Sequence, residues 1–214
     1  AYDPLANRVT SKADMPRHTA DGVTGVIAGK LYVLAGTCGY DCTVRGIRRL
    51  YRYDPGTNVW TTLAPCPRFH INGAGAAING KFYVAGGLAP YIGPTADLDV
   101  YDPGTNTWTA LAPMPQARAH AAGARMNSKL YVVGGLGRDA YTGGQCEQAG
   151  TCARQNVYAY NPLTNMWSTK APMPTARFGL AAAAVANSQS HILAVGGGRQ
   201  SGAAGPSANE LYTP

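Results

Sequence analysis

One stretch of sequence returns four times along this chain and limits what it can become. VYDPGTNTWTALAPMP at 100–115 recurs as YRYDPGTNVWTTLAPCP at 51–67, as YAYNPLTNMWSTKAPMP at 158–174 and, worn, as AYDPLANRVTSKADMP at 1–16. Aligned on Tyr2, Tyr53, Tyr101, Tyr160 and Tyr212, the copies lie 51, 48, 59 and 52 residues apart. A period near 50 is the mark of a chain built from small units that bury their faces against one another.

The interior of each period repeats as well. After each proline pair comes a small-residue run (INGAGAAING, AHAAGARMNS, GLAAAAVANS), then an apolar strand ending in glycine (KLYVLAG, KFYVAGG, KLYVVGG, HILAVGG) and a loop of variable length. A tyrosine strand and a tryptophan strand close the unit. The pattern predicts four short strands per period and no helical periodicity between them. With 27 glycines, 15 prolines and only 14% charged residues, the composition fits a strand-rich, ordered chain.

Local chemistry explains the repeated turn. Asp102 or Asn161 before its proline favours an Asx-type turn, and proline presets φ for the reversal. Asn58, Asn106 and Asn165 stand where a left-handed residue is needed, which asparagine tolerates. Trp60, Trp108 and Trp167 are large enough to seal one sheet against the next; the first copy has Val9 in that place. Gly73, Gly75, Ala121, Ala122, Gly123 and Ala181–Ala184 suit an innermost strand, where sheets crowd around an axis.

With its glycine pairs (Gly86–Gly87, Gly134–Gly135, Gly196–Gly197) and downstream Tyr101 and Trp108, the unit resembles the kelch repeat over essentially the whole chain. The resemblance implies an all-β fold: a β-propeller of four-stranded antiparallel blades, four per chain. The chain is expected to form one domain over 1–214, with repeats at about 17–67, 68–115, 116–174 and 175–214 plus 1–16. The first repeat departs from the pattern, with LAGT for the glycine pair. Because the chain starts and stops in the tyrosine strand, a segment around Val9–Lys12 is expected to join the C-terminal blade and close the ring, hiding strand edges. Two chains exchanging that strand would build eight blades instead, and a longer propeller is a third arrangement. The expected state is a monomer or a strand-exchanged dimer.

Cys38 with Cys42 (CGYDC) and Cys146 with Cys152 (CEQAGTC) lie in equivalent loops. They are read as two local disulfides, placing the chain in an oxidising, extracellular or periplasmic compartment. Three pairings exist on paper, and neither spacing is that of a zinc knuckle. Cys66 takes the slot of Met15, Met114 and Met173 and is read as an apolar filler. No metal site and no cofactor are expected. The net charge of +7 is scattered apart from Arg45, Arg48, Arg49 and Arg52, so nucleic acid is not an expected partner. No apolar run approaches the roughly 18 residues of a membrane span.

In propellers resembling this one, two loop types open on one face around the axis. One type here carries Tyr40, Tyr91, Arg138 and Tyr141. The other, after the proline pairs, carries Arg68, His70, Arg118, His120, Arg177 and Phe178. The resemblance implies that such arginines read carboxylates through paired hydrogen bonds; equally, they could bond loop carbonyls between blades. GAGAAING lacks the third glycine and the following helix of a dinucleotide loop. No phosphate loop, nucleophile elbow or H-E-x-x-H is present, so no catalytic residue is named. The expected function is a binding module for a protein, acidic peptide or glycan, not an enzyme. The alternatives are a sugar oxidase or sugar-acid epimerase, and a structural propeller fragment without its own ligand.

Overall fold

Each full copy of the repeated stretch folds as a tight antiparallel hairpin. In a computed structural model of the chain, which describes residues 1–38, 46–138, 152–186, 190–198 and 210–213, Tyr53 stands opposite Trp60, Tyr101 opposite Trp108 and Tyr160 opposite Trp167. The Oδ1 atoms of Asp54, Asp102 and Asn161 accept the amides of Gly56, Gly104 and Leu163, two residues on. Asn58, Asn106 and Asn165 hold φ at 57°, 55° and 53°.

The asparagine also works at longer range. Its Oδ1 accepts the hydroxyl of its own hairpin's tyrosine: Tyr53, Tyr101 or Tyr160, at 2.7, 2.7 and 2.8 Å. It also accepts the backbone N–H of Ala13, Ala64 or Ala112, one repeat back, at 2.9, 3.0 and 3.0 Å. The indole N–H of Trp60, Trp108 or Trp167 donates to the carbonyl of that same alanine at 2.9, 2.9 and 2.8 Å. Burial pushes the Tyr101 and Tyr160 hydroxyls up to about 12, with Tyr32 and Tyr83 adding to it, so both stay protonated donors. The turn is repeated because each of the three full copies bolts its unit to the stretch before it.

Strands β1 (Tyr2–Asp3) and β2 (Arg8–Val9) form a hairpin of their own. The first blade is β3 (Val23–Ile27), β4 (Lys30–Leu34), β5 (Leu50–Asp54) and β6 (Val59–Leu63). The second holds β7 (Ala74–Ile78), β8 (Lys81–Ala85), β11 (Leu98–Asp102) and β12 (Thr107–Leu111), with a small ribbon of β9 (Leu88–Ala89) and β10 (Gly93–Pro94) in its loop. The third is β13 (Ala122–Met126), β14 (Lys129–Val133), β15 (Val157–Asn161) and β16 (Met166–Lys170). The fourth has, among the described residues, three strands, β17 (Ala181–Ala186), β18 (Ser190–Val195) and β19 (Glu210–Tyr212). Within each blade, neighbours in the sheet follow chain order and pair antiparallel, giving four blades in a propeller arrangement.

The innermost strands β3, β7, β13 and β17 pack side by side in that order. The alanine- and glycine-rich runs allow this approach: a Cβ on Gly123 would lie 2.5 Å from both N and O of Gly75. Between the blades Ile78, Leu98, Leu130 and Phe82 are wholly buried, each contributing about 1.5–3 kcal/mol. Cys66 fills the apolar slot that Met114 and Met173 fill elsewhere, buried like them.

The expected closing strand is corrected by the pairing. Arg8–Val9 pairs with Tyr2–Asp3, and among the described residues Glu210–Tyr212 pairs with β18 alone. The reason is duplication of the tyrosine strand. β19 takes the third position beside β18, and β1 repeats that position with β2 as its partner. The N-terminal hairpin is instead fastened to the first blade through Ala13, Asn58 and Trp60.

Cys38 and Cys152 are each disulfide-bonded. Cys42 and Cys146, their expected partners, lie outside the described residues.

Candidate functional site

The loop face is organised by two sets of contacts between blades. The first surrounds the glycine pairs. Gly86 and Gly87 have φ of 63° and 94°, and a Cβ on Gly86 would lie 2.5 Å from the Arg118 carbonyl. That carbonyl accepts the Gly87 N–H at 2.7 Å, as the Arg177 carbonyl accepts the Gly135 N–H at 2.9 Å. The side chains at these stations point inward. His70, Arg118 and Arg177 are 3%, 2% and 0% exposed.

Their partners differ from blade to blade while the geometry repeats. His70 Nδ1 lies 2.6 Å from the Gly86 carbonyl and Nε2 lies 2.8 Å from Asp99 Oδ2. Arg177 donates to the Gly196 carbonyl at 3.1 Å and pairs with Glu210 at 2.8 Å. Arg118 donates to Gln116, Asn156 and the Tyr158 hydroxyl. Arg68, half-buried, donates to Asp97, to both oxygens of Asp99 and to the Leu98 carbonyl, each at 2.8 Å. These side-chain contacts latch the loop after each proline pair to the blade it leads into: Arg68 and His70 to the second, Arg118 to the third and Arg177 to the fourth.

Asp99, 0% exposed, is the centre of the second blade's latch. Burial pushes its carboxyl up, but hydrogen bonds from His70 and Arg68 more than offset this and hold it below the ordinary 3.8. Cys66, His70 and Asp99 place ligand-type atoms within 4.8 Å of one another. Both Asp99 oxygens are already taken by Arg68, and burial pushes the Cys66 thiol up to about 12. The donor set is that of an ion-pair knot and does not suit a cation.

The second set of contacts lines the mouth of the axis. Two residues before each innermost strand stand Asp21, Asn72, His120 and Gly179, all left-handed, with φ of 58°, 53°, 53° and 61°. They form a backbone ladder from blade to blade. Asn72 N–H donates to the Asp21 carbonyl, His120 N–H to Asn72 and Gly179 N–H to His120, at 2.9, 2.8 and 2.8 Å. Because the main chain makes the ladder, the side chains of Asp21, Asn72 and His120 face outward into a cleft of about 580 Å³. Thr37 joins them, its hydroxyl donating to Asp21 Oδ2 at 3.2 Å. Ile71, Leu88, Pro90, Tyr91 and Ile92 form the apolar wall. Burial pushes the His120 imidazole down, and the Asp21 charge raises it by less.

Of the other residues singled out in the sequence, Tyr91 is 89% exposed at the cleft's rim. Phe178 meets His120 edge-on, ring centroids 6.3 Å apart at 75°. Arg138 reaches the Pro94 carbonyl at 3.5 Å. Tyr40 and Tyr141 lie outside the described residues. Asp21, Asn72, Thr37 and Asp99 were not singled out; the shared offset of Asp21, Asn72, His120 and Gly179 before each small-residue strand was the available signal for the mouth.

A family model described as "Kelch motif" matches residues 18–67, 72–115 and 117–174. An F-box/kelch-repeat protein of Arabidopsis thaliana is 34% identical over 86 residues, 40% of this chain and 23% of that protein. The N-acetylneuraminate epimerase of Yersinia pestis is 38% identical over 78 residues, 35% of this chain and 19% of the enzyme. The matched stretches thus span about a fifth of those proteins. A solved structure, "Structure of YjhT", superposes with a TM-score of 0.72 at 22% identity, covering 89% of this chain and 62% of that one.

Proposed function

The chain belongs to the kelch-repeat family, and from that premise we propose that it is a binding module, not an enzyme, whose ligand enters the cleft at the loop-face mouth. The observation that carries this reading is the mouth itself. Backbone bonds fix the rim, so three polar side chains from three blades converge on one hollow beside an exposed tyrosine. Rigid scaffolds with converging loop side chains are where binding concentrates. The ligand is a protein, peptide or glycan met outside the reducing cytosol, the compartment in which the disulfides of Cys38 and Cys152 would persist. Among the described residues no helix is long and apolar enough to cross a membrane.

The test is an array of immobilised glycans and acidic peptides probed with wild type, with Tyr91→Ala/His120→Ala and with Arg48→Ala, which lies away from the cleft. Signals are expected to vanish in the double variant and persist in Arg48→Ala. Binding that survives the double variant would place the site elsewhere.

One observation favours a second reading. Asp21 and His120 put a carboxylate and an imidazole in the same cleft, the pair of groups that acid/base chemistry on a sugar requires. Epimerisation of N-acetylneuraminate followed by proton NMR, accelerated by wild type and not by His120→Ala, would make the enzyme reading the correct one.

A further inference from the structure

We infer that the ligand of this cleft is an uncharged saccharide, not an acidic peptide or a sugar acid. This rests on the mouth being the binding site, and goes beyond that reading by using the chemistry of its lining. Among the described residues no lysine or arginine lines the cleft, while one carboxylate does. The arginines of the proline-pair loops are engaged in latches: Arg118 and Arg177 are almost wholly buried, and Arg68 is bound to Asp97 and Asp99. A carboxylated ligand entering here meets Asp21 with no lysine or arginine among the described lining residues to balance it. It would bear the cost of desolvating two like charges.

The groups present match a polyol instead. Each sugar hydroxyl is both donor and acceptor. Asp21 offers acceptor lone pairs, Asn72 an acceptor and two donors, and Thr37 and His120 mixed capacity. One rim of the cleft is apolar and ends in Tyr91, a residue 89% exposed. An aromatic face of that kind packs against the C–H face of a pyranose while the hydroxyls point to the polar rim. The cleft of about 580 Å³ lies within the range of about 300–1,000 Å³ usual for small-ligand sites.

The experiment is titration calorimetry with the full chain against a neutral panel (lactose, cellobiose, maltotriose, N,N′-diacetylchitobiose) and two acidic probes, N-acetylneuraminate and hexa-aspartate. At least one neutral sugar is expected to bind, with little dependence on salt. Its affinity should fall at least tenfold in Tyr91→Ala and in Asp21→Asn, which keeps the left-handed backbone and removes the charge. Tighter binding of an acidic probe, lost in Tyr91→Ala, would overturn the saccharide assignment and leave the mouth as the site. Binding of any probe unchanged in Tyr91→Ala and His120→Ala would overturn the mouth as well. Silence across the neutral panel overturns the assignment.

Discussion

Replacing Asp99 with asparagine separates a latch from a ligand-reading ring. The change preserves volume, so no cavity enters the reckoning. In the native protein Asp99 accepts two hydrogen bonds from Arg68 and lies 2.8 Å from His70 Nε2. Asparagine must turn its NH₂ toward one of these partners, whichever way the amide faces, setting donor against donor. Breaking a buried pair by removing one partner costs about 3–5 kcal/mol. Arg68 is partly exposed and keeps Asp97, which places the expected loss near the lower end, about 3 kcal/mol. For a chain of this length that is a fall in Tm of about 6–12 °C.

The pH dependence gives a second reading of the same bond. The Asp99 carboxyl is held below its ordinary 3.8 in the folded protein. Its contribution is therefore fully present above that value and is lost as pH falls through and below it. Urea unfolding of wild type and Asp99→Asn should show the full gap at pH 7 and a shrinking one below about pH 4. A gap under about 1 kcal/mol at pH 7, or one that does not narrow in acid, would refute the latch. Weakened ligand binding with unchanged stability would restore these residues to the ligand.

Two further outcomes follow from the packing. Gly123→Ala drives a Cβ to 2.5 Å from the Gly75 backbone and should cost about 3 kcal/mol in urea unfolding, the upper end of ordinary overpacking. Gly80→Ala, with nothing within 4 Å, should cost only the roughly 1–2 kcal/mol of a left-handed alanine; equal losses would contradict the close approach of the inner strands. The Cys66 thiol, pushed up to about 12 by burial, should escape iodoacetamide at pH 8 in the native protein and react once urea unfolds it. Stoichiometric native labelling, read by mass spectrometry, would show that slot to be open.

The features legible in the sequence are those that repeat with residue type intact. Asn58, Asn106 and Asn165, the three tryptophans and Cys66 each answer a local demand, a turn angle or an apolar slot, that restricts chemistry to a few residue types. The latch was half legible. The stations of His70, Arg118 and Arg177 align, but their partners Asp99, Tyr158 and Glu210 share only a place beneath the third strand's tyrosine. Charge pairs with hydroxyl or amide equally well across that gap, so no single type recurs. The mouth was less legible still. A ladder of main-chain bonds asks only for a left-handed residue, which Asp21, Asn72 and Gly179 suggest and His120 conceals. The closing strand was misassigned because both ends of the chain carry a tyrosine strand, and composition does not say which of them takes the edge of β18.

The main-chain ladder also bears on how this protein can change. Asp21, Asn72, His120 and Gly179 are tied blade to blade through amide and carbonyl, so what Asp21, Asn72 and His120 bring to the hollow is decoupled from those ties. Exchanging one projecting group for another that accepts the same twist alters the chemistry of the hollow at little cost to folding. The rim thus acts as a set of interchangeable fittings on a fixed frame, and a taste for new ligands lies a few substitutions away.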